Sequence, residues 1–77
     1  MKVEILTSSF VDGKMKNHLM TLETKNPKCL LEKAKKDAEL HSKLTGIKTT
    51  IQSESENDLY VSYESGVIVD RTYLITN

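Results

Sequence analysis

Hydrophobic and polar positions alternate at the start of this chain with the period of a β-strand. The alternation runs from Val3 to Ser8, and Asp12-Gly13 then supplies the residue pair preferred in a type I′ turn. Met15–Thr24 follows as the returning strand of a hairpin. The first third of the chain therefore predicts two antiparallel strands joined by a tight turn.

The predicted turn also sets the register of this hairpin, because it places Val11 opposite Lys14. Each face of the hairpin then carries its own set of opposed residues. One face pairs Val3 with Leu22, Ile5 with Met20 and Thr7 with His18, and the other pairs Leu6 with Leu19 and Phe10 with Met15. Both faces contain large apolar residues, and a single helix cannot cover both.

The next segment has the apolar period of a helix and carries signals for both of its ends. Asn26 is a favoured N-cap, Pro27 suits the first helical position, and Gly46 can close the helix in a left-handed conformation. The pattern predicts a helix over Pro27–Thr45. Its expected core side comprises Leu30, Leu31, Ala34, Ala38, His41 and Thr45, extended by Leu40 and Leu44.

Three further strands are predicted after the helix. Alternation returns from Ile47 to Gln52, from Leu59 to Tyr63, and over a last strand ending near Ile75. An acidic stretch at 52–58 separates the first two of these strands and reads as a solvated turn.

The turn at 64–66 allows two registers between the last two strands. A two-residue loop places Asp70 opposite Val61 on the core side. A three-residue loop with Gly66 left-handed places Val69 opposite Val61 instead, and we prefer it because it keeps a carboxylate out of the core. Tyr73 and Ile75 then point inward. The element order is ββαβββ, an α+β fold in which residues 1–77 form one domain with a largely antiparallel sheet and one helix across a face.

Composition places the chain among small globular proteins. It has 77 residues, a mass of 8.7 kDa and a hydrophobic fraction of 38%. No apolar run approaches the length of a transmembrane helix, and Glu4 interrupts the position where a signal peptide would be apolar. A single cysteine, Cys29, cannot form an internal disulfide. We expect a cytoplasmic protein with no membrane partner.

The net charge is zero, but the two halves of the chain differ in sign. Residues 1–48 hold ten lysines and six acidic residues, whereas residues 49–77 hold one arginine and five acidic residues. A neutral chain lacks the charge typical of a general nucleic-acid binder. The asymmetry hints at a charged partner or at head-to-tail contact between copies.

Few residues carry chemistry. Cys29 near the helix N-terminus could be a thiolate, but no local motif supplies a base or an oxyanion site. His18, Asp37 and His41 are the candidates to join it in a Cys/His pair or a metal site, although their spacing matches no zinc motif. We expect no catalytic residue, cofactor or metal, and a minimal Cys/His enzyme is the third hypothesis.

The leading hypothesis is a small non-enzymatic protein that acts by binding another protein. One helix of about 10 Å diameter leaves much of a five-stranded sheet uncovered. The expected interface residues on the uncovered face are Leu6, Phe10, Met15, Leu19 and Tyr60. The partner is a second copy, giving a homodimer, or a different protein, as for regulatory accessory factors of phages and mobile elements. The alternative is a nucleic-acid-binding module that uses the lysine-bearing helix or the first hairpin.

Overall fold

The computed structural model describes residues 1–76 and contains five strands in one sheet with one helix. The elements are β1 (Lys2–Val11), β2 (Lys14–Glu23), α1 (Pro27–Thr45), β3 (Thr49–Glu54), β4 (Asp58–Tyr63) and β5 (Ile68–Thr76). The strands lie in the order β2-β1-β5-β4-β3, and every neighbouring pair is antiparallel. The predicted α+β class and element order are confirmed, while the strand order follows from pairings between distant parts of the chain.

The first hairpin has the turn and the register that its sequence predicts. Asp12 and Gly13 have φ angles of 52° and 75°, the left-handed values that a type I′ turn requires. Val11 faces Lys14, and the pairing continues without a shift to Lys2 opposite Glu23. The Asp-Gly pair therefore determines which side chains share each face of this long hairpin.

The helix has the predicted bounds, and both predicted cap residues occupy the cap positions. Gly46 is left-handed with φ 74°, and its N–H donates to the carbonyl oxygen of Ser42 over 3.0 Å. Asn26 is the N-cap residue, but its side chain does not make the capping hydrogen bond for which asparagine is favoured there. Pro27, which has no N–H to satisfy, is buried at the first helical position instead.

The core lies between α1 and the β5-β4-β3 side of the sheet, with part of β1. Helix α1 packs over β3 and β4, and the Thr49 hydroxyl donates to the carbonyl oxygen of Ala38 over 3.2 Å. The buried apolar residues come from the helix and from three strands. They are Val3, Leu31, Ala38, Leu59, Val61 and Tyr73.

The phase of the helix differs from the prediction at one flank. Leu40 and Leu44, expected to extend the core side, are exposed, and Leu44 keeps 77% of its surface in solvent. His41 is also exposed, with its ring edge against Tyr63 at a centroid distance of 5.7 Å. The buried stripe centres on Leu31 and Ala38. At about 100° per residue, Leu40 lies on the opposite side of the helix from Leu31, and Leu44 lies more than a quarter turn from both buried residues.

Both registers considered for the β4–β5 connection are wrong. Val61 faces Arg71, rather than Asp70 or Val69, so the connecting loop is longer than either prediction assumed. Gly66 does adopt the expected positive φ, at 106°. A bulge between Ser8 and Ser9 in the β1–β5 pairing absorbs an additional residue on β5. Asp70 nevertheless lies on the side of the sheet away from α1, as the preferred register required, and Arg71 is half-buried on the core side of β5.

Helix α1 covers about half of one sheet face. Every residue of β2 is exposed, although its side chains include Met15, Leu19, Met20 and Leu22. Over the described residues 1–76, no helix has the length and apolar content needed to cross a membrane. The uncovered strand leaves apolar side chains on both faces of the first hairpin in contact with solvent.

Candidate protein-interaction surface

The face of the sheet that points away from α1, here the far face, carries all the residues predicted for an interface. Strand alternation places even-numbered residues of β1 and odd-numbered residues of β2 on this side. The predicted residues Leu6, Phe10, Met15, Leu19 and Tyr60 all lie there and are exposed. Their exposure ranges from 36% for Tyr60 to 59% for Leu19.

The far-face residues form two groups rather than one cluster. Leu19, Leu6, Thr72 and Tyr60 are opposed in sequence across β2, β1, β5 and β4, and we call this row the apolar band. Phe10 and Met15 form a separate pair near the hairpin turn. A polar row lies between the two groups and consists of Asn17, Ser8, Asp70 and Ser62.

Leu74 is a far-face residue that the sequence prediction missed. It is 41% exposed, and it lies one row from the apolar band, opposite Glu4 on β1 and Asp58 on β4. Alternation on β5 carried the signal: if Tyr73 and Ile75 point inward, Leu74 must point to the far face. This leucine widens the apolar band on its side away from the polar row.

Hydrogen bonds fix the polar row beside the band. The Ser8 hydroxyl donates to Asn17 Oδ1 over 2.9 Å, and the Tyr60 hydroxyl donates to Asp70 Oδ2 over 3.3 Å. The negative charge of Asp70, followed by burial and this hydrogen bond, raises the pKa of Tyr60. Tyr60 therefore presents a neutral ring at the junction of the apolar and polar rows.

The two edges of the sheet differ in how well they are protected. Edge strand β3 is six residues long and carries a bulge between Ile51 and Ser53 and an acidic end at Glu54. Edge strand β2 is ten residues long and has no bulge, proline or interruption of its pairing with β1. Short length, bulges and charge are the usual means of blocking edge-to-edge contact, and β2 lacks the first two.

A cleft of about 410 Å³ opens between the C-terminal half of α1 and the β4–β5 connection. Arg71 lies in it, half-buried on the core side of β5, and its Nε donates to the Thr7 hydroxyl over 3.2 Å. Among the described residues no carboxylate comes within 4.0 Å of Arg71. Burial, followed by Tyr73, raises the pKa of neighbouring Tyr63, while Arg71 opposes that change.

Of the residues considered for chemistry, Asp37 and His41 line the same cleft, and the others lie apart from them. Cys29 is exposed on α1, and His18 lies on β2 at the opposite side of the sheet. Within residues 1–76 no three His, Cys, Asp or Glu side chains are grouped closely enough to hold a metal ion. Neither a Cys/His pair nor a metal cluster is formed by this arrangement of the described residues.

The lysines of α1 lie among carboxylates. Lys35 Nζ pairs with Glu54 at 3.1 Å, which links the helix to the end of β3. Lys28 and Lys36 line the same groove as the acidic side chains Glu32, Glu39, Glu54, Glu56 and Asp58. The helix therefore does not present the one-signed basic surface that phosphate backbones bind.

Comparison with protein-family models, curated proteins and solved structures finds no match. The far face, the β2 edge and the Arg71 cleft must therefore be interpreted from their own chemistry. Of these three, the far face carries the largest exposed apolar side chains, and Phe10, Leu19 and Leu6 are about half exposed.

Proposed function

We propose that this chain is a small, non-enzymatic, cytoplasmic protein-binding module whose contact surface is the far face of its sheet. The observation that carries the proposal is the apolar band with Leu74 beside it, on the face that α1 leaves open. Single exposed leucines need no explanation, but Leu19, Leu6 and Tyr60 share one row across four strands, in which Thr72 lies between Leu6 and Tyr60. Such a grouping of large exposed side chains is typical of an interface. A solvated sheet face ordinarily carries polar residues at such positions.

The arrangement of the far face suits a partner with an apolar ridge. The apolar band would bury against that ridge, and the neighbouring polar row would fix its orientation through Ser8, Asn17 and Asp70. A second copy of this chain and a different protein are both partners of this kind. The small size of the chain is the ground for predicting that it is a regulatory accessory factor, like those encoded by phages and mobile elements.

The nucleic-acid alternative has less support. Lysines on α1 are interleaved with carboxylates. The hairpin lysines Lys14 and Lys16 belong to β2, where they alternate with Met15 and uncharged residues. Binding of that kind depends on released counterions and on a continuous positive surface. Titration with duplex DNA and RNA at low salt is expected to give no saturable binding.

A charge-balanced double substitution tests the far face. Leu6→Glu with Leu74→Lys places two charges on the far face without altering the net charge, and the lysine at position 74 lies between Glu4 and Asp58. The matched control is Leu40→Glu with Leu44→Lys, which makes the same changes on exposed leucines of α1. Circular dichroism should show that both variants keep the parent's fold.

The partner can be captured with the far face left free. Cys29 is exposed on the helix side, so biotin coupled to its thiol presents the opposite face to an extract of the native host. A protein captured by the parent and the control is then purified, and its affinity is measured by calorimetry. The far-face variant should weaken that affinity at least tenfold, and the control less than twofold. Equal affinity of both variants would show that the far face is not the binding surface.

A further inference from the structure

The outer edge of β2 provides an independent inference, because its hydrogen-bonding groups can be assigned residue by residue. In the first hairpin the Thr24 N–H donates to the Met1 carbonyl, while the Phe10 N–H points the other way and donates to Val67 on β5. Bonding in an antiparallel pair alternates along each strand. Even-numbered residues of β2 therefore bond to β1, and odd-numbered residues direct their N–H and C=O groups outward.

These outward groups form an uninterrupted row. They belong to Met15, Asn17, Leu19, Thr21 and Glu23, whose side chains all lie on the far face. No described strand lies beyond β2 in the sheet. We infer that the outer edge of β2 pairs with the same edge of a second copy of this chain, giving an antiparallel dimer with a continuous ten-stranded sheet.

Symmetry restricts the register of such a pair. A two-fold axis perpendicular to the sheet keeps both far faces on one side, and it must pass between a residue and its own copy. Leu19 is the middle residue of the outward row. An axis at Leu19 gives every outward N–H and C=O of β2 a partner, whereas an axis at His18 or Met20 leaves groups unpaired at the ends of the strand.

The register centred on Leu19 also matches side chains on both faces. On the far face Leu19 meets its own copy, so the apolar band of one copy continues into the band of the other. On the helix side Met20 faces the second copy's His18, and Leu22 faces its Lys16, whose aliphatic stem can cover it. No two like charges are placed opposite each other. Met20 and Leu22, exposed by 45% and 37%, thereby gain cover that α1 does not provide.

The size of the contact sets the strength of the dimer. Ten residues span about 34 Å, and a sheet with its side chains is about 10 Å thick. Edge pairing therefore buries on the order of 700 Å² over both copies, below the ~1,200 Å² of stable complexes. We expect a dissociation constant in the micromolar range, so that monomer and dimer both occur at concentrations accessible to sedimentation.

Amide exchange and a proline substitution test the pairing directly. On raising the concentration, the amides of Asn17, Leu19 and Thr21 should become protected, while those of His18, Met20 and Leu22, which bond to β1, stay protected throughout. Thr21→Pro removes an outward N–H and leaves the β1 bonds intact, so it should raise the dissociation constant at least tenfold. Thr21→Val keeps the N–H and should leave dimerisation unchanged. Concentration-independent exchange of the odd-numbered amides would overturn the inference.

Cysteine crosslinking tests the register and guards against a proline variant that fails to fold. In a Cys29→Ser background, Leu19→Cys should form an intermolecular disulfide at least tenfold faster than Met20→Cys. Faster crosslinking at Met20 would refute the axis at Leu19. A dimer that survives Thr21→Pro but is abolished by Leu6→Glu with Leu74→Lys would be a face-to-face dimer and would refute edge pairing. Loss of partner capture by that far-face variant bears only on the proposed function.

Discussion

Arg71 occupies a position on the core side of β5 where an apolar side chain would be expected. Arg71 lies opposite Thr7 on β1, whose hydroxyl accepts the Arg71 hydrogen bond, and opposite the buried Val61 on β4. The alternation that put Tyr73 and Ile75 inward already implied that Arg71 points inward as well. The sequence prediction did not name Arg71, although its preferred register already placed the odd-numbered residues of this strand inward.

Tyr63, beside Arg71, should make the free energy of unfolding decrease as the pH rises into the alkaline range. Burial raises its pKa above the ordinary value of 10.0, so the folded state holds the phenolic proton more tightly than the unfolded state. The resulting stabilisation is complete below that ordinary value and is lost as the pH rises through the raised pKa. Urea unfolding from about pH 8 to about pH 11 should show a steeper loss for the parent than for Tyr63→Phe. Equal slopes would mean that the Tyr63 hydroxyl is as solvated as in the unfolded chain.

Helix α1 approaches the sheet closely because small residues lie at its contact. Ala38 is 4% exposed, and its carbonyl oxygen receives the Thr49 hydroxyl. Ala38→Leu should overpack this contact and lower the free energy of unfolding by about 1–3 kcal/mol. Lys33→Leu adds a leucine at an exposed position of the same helix and should change stability by less than about 0.5 kcal/mol. Thermal and urea unfolding measure both, and a stable Ala38→Leu variant would place the helix farther from the sheet.

The bounds and registers of the helix and strands were predictable where one residue pair or one cap residue determines the local backbone conformation. Asp12-Gly13 determines the hairpin register, and Pro27 and Gly46 bound the helix. The β4–β5 register was not predictable, because the longer loop and the bulge on β5 have no comparable residue signature. Leu40 and Leu44 were misplaced for a different reason: the predicted core side was extended to include them, although the helical period places them far around the helix from Leu31 and Ala38.

At the scale of the whole molecule, the core lies towards one side. Its buried residues connect α1 with β4, β5 and the first part of β1, and Ile51 of β3 packs against them partly buried. The end of the hairpin beyond Thr7 contributes no residue to this core. The order of the strands in the sheet could not be predicted from local sequence patterns, because it depends on the pairing of β1 with β5 from distant parts of the chain. The far-face residues were predictable, since they require only the hairpin register and one helix.

This asymmetry predicts uneven local stability. In dilute solution, where dimers dissociate, amides of the hairpin end at 7–16 should exchange through low-energy local opening. Amides of Val3, Leu59 and Val61 should exchange only on global unfolding, because those residues are almost fully buried. Native-state hydrogen exchange in rising denaturant distinguishes the two classes. A single common free energy for both would mean that the hairpin end unfolds together with the core.

The pairing of β1 with β5 governs how the chain can fold. Lys2 lies opposite Thr76, and Ile5 lies opposite Tyr73, so the central ladder joins residues from the two ends of the sequence. During synthesis the first hairpin can form early, but it must wait with both apolar faces open until the last strand leaves the ribosome. Such long-range closure slows folding relative to helical proteins of the same size. The apolar faces of β1 and β2, part of which stays exposed in the folded protein, are therefore the first surface to which a chaperone would bind during synthesis.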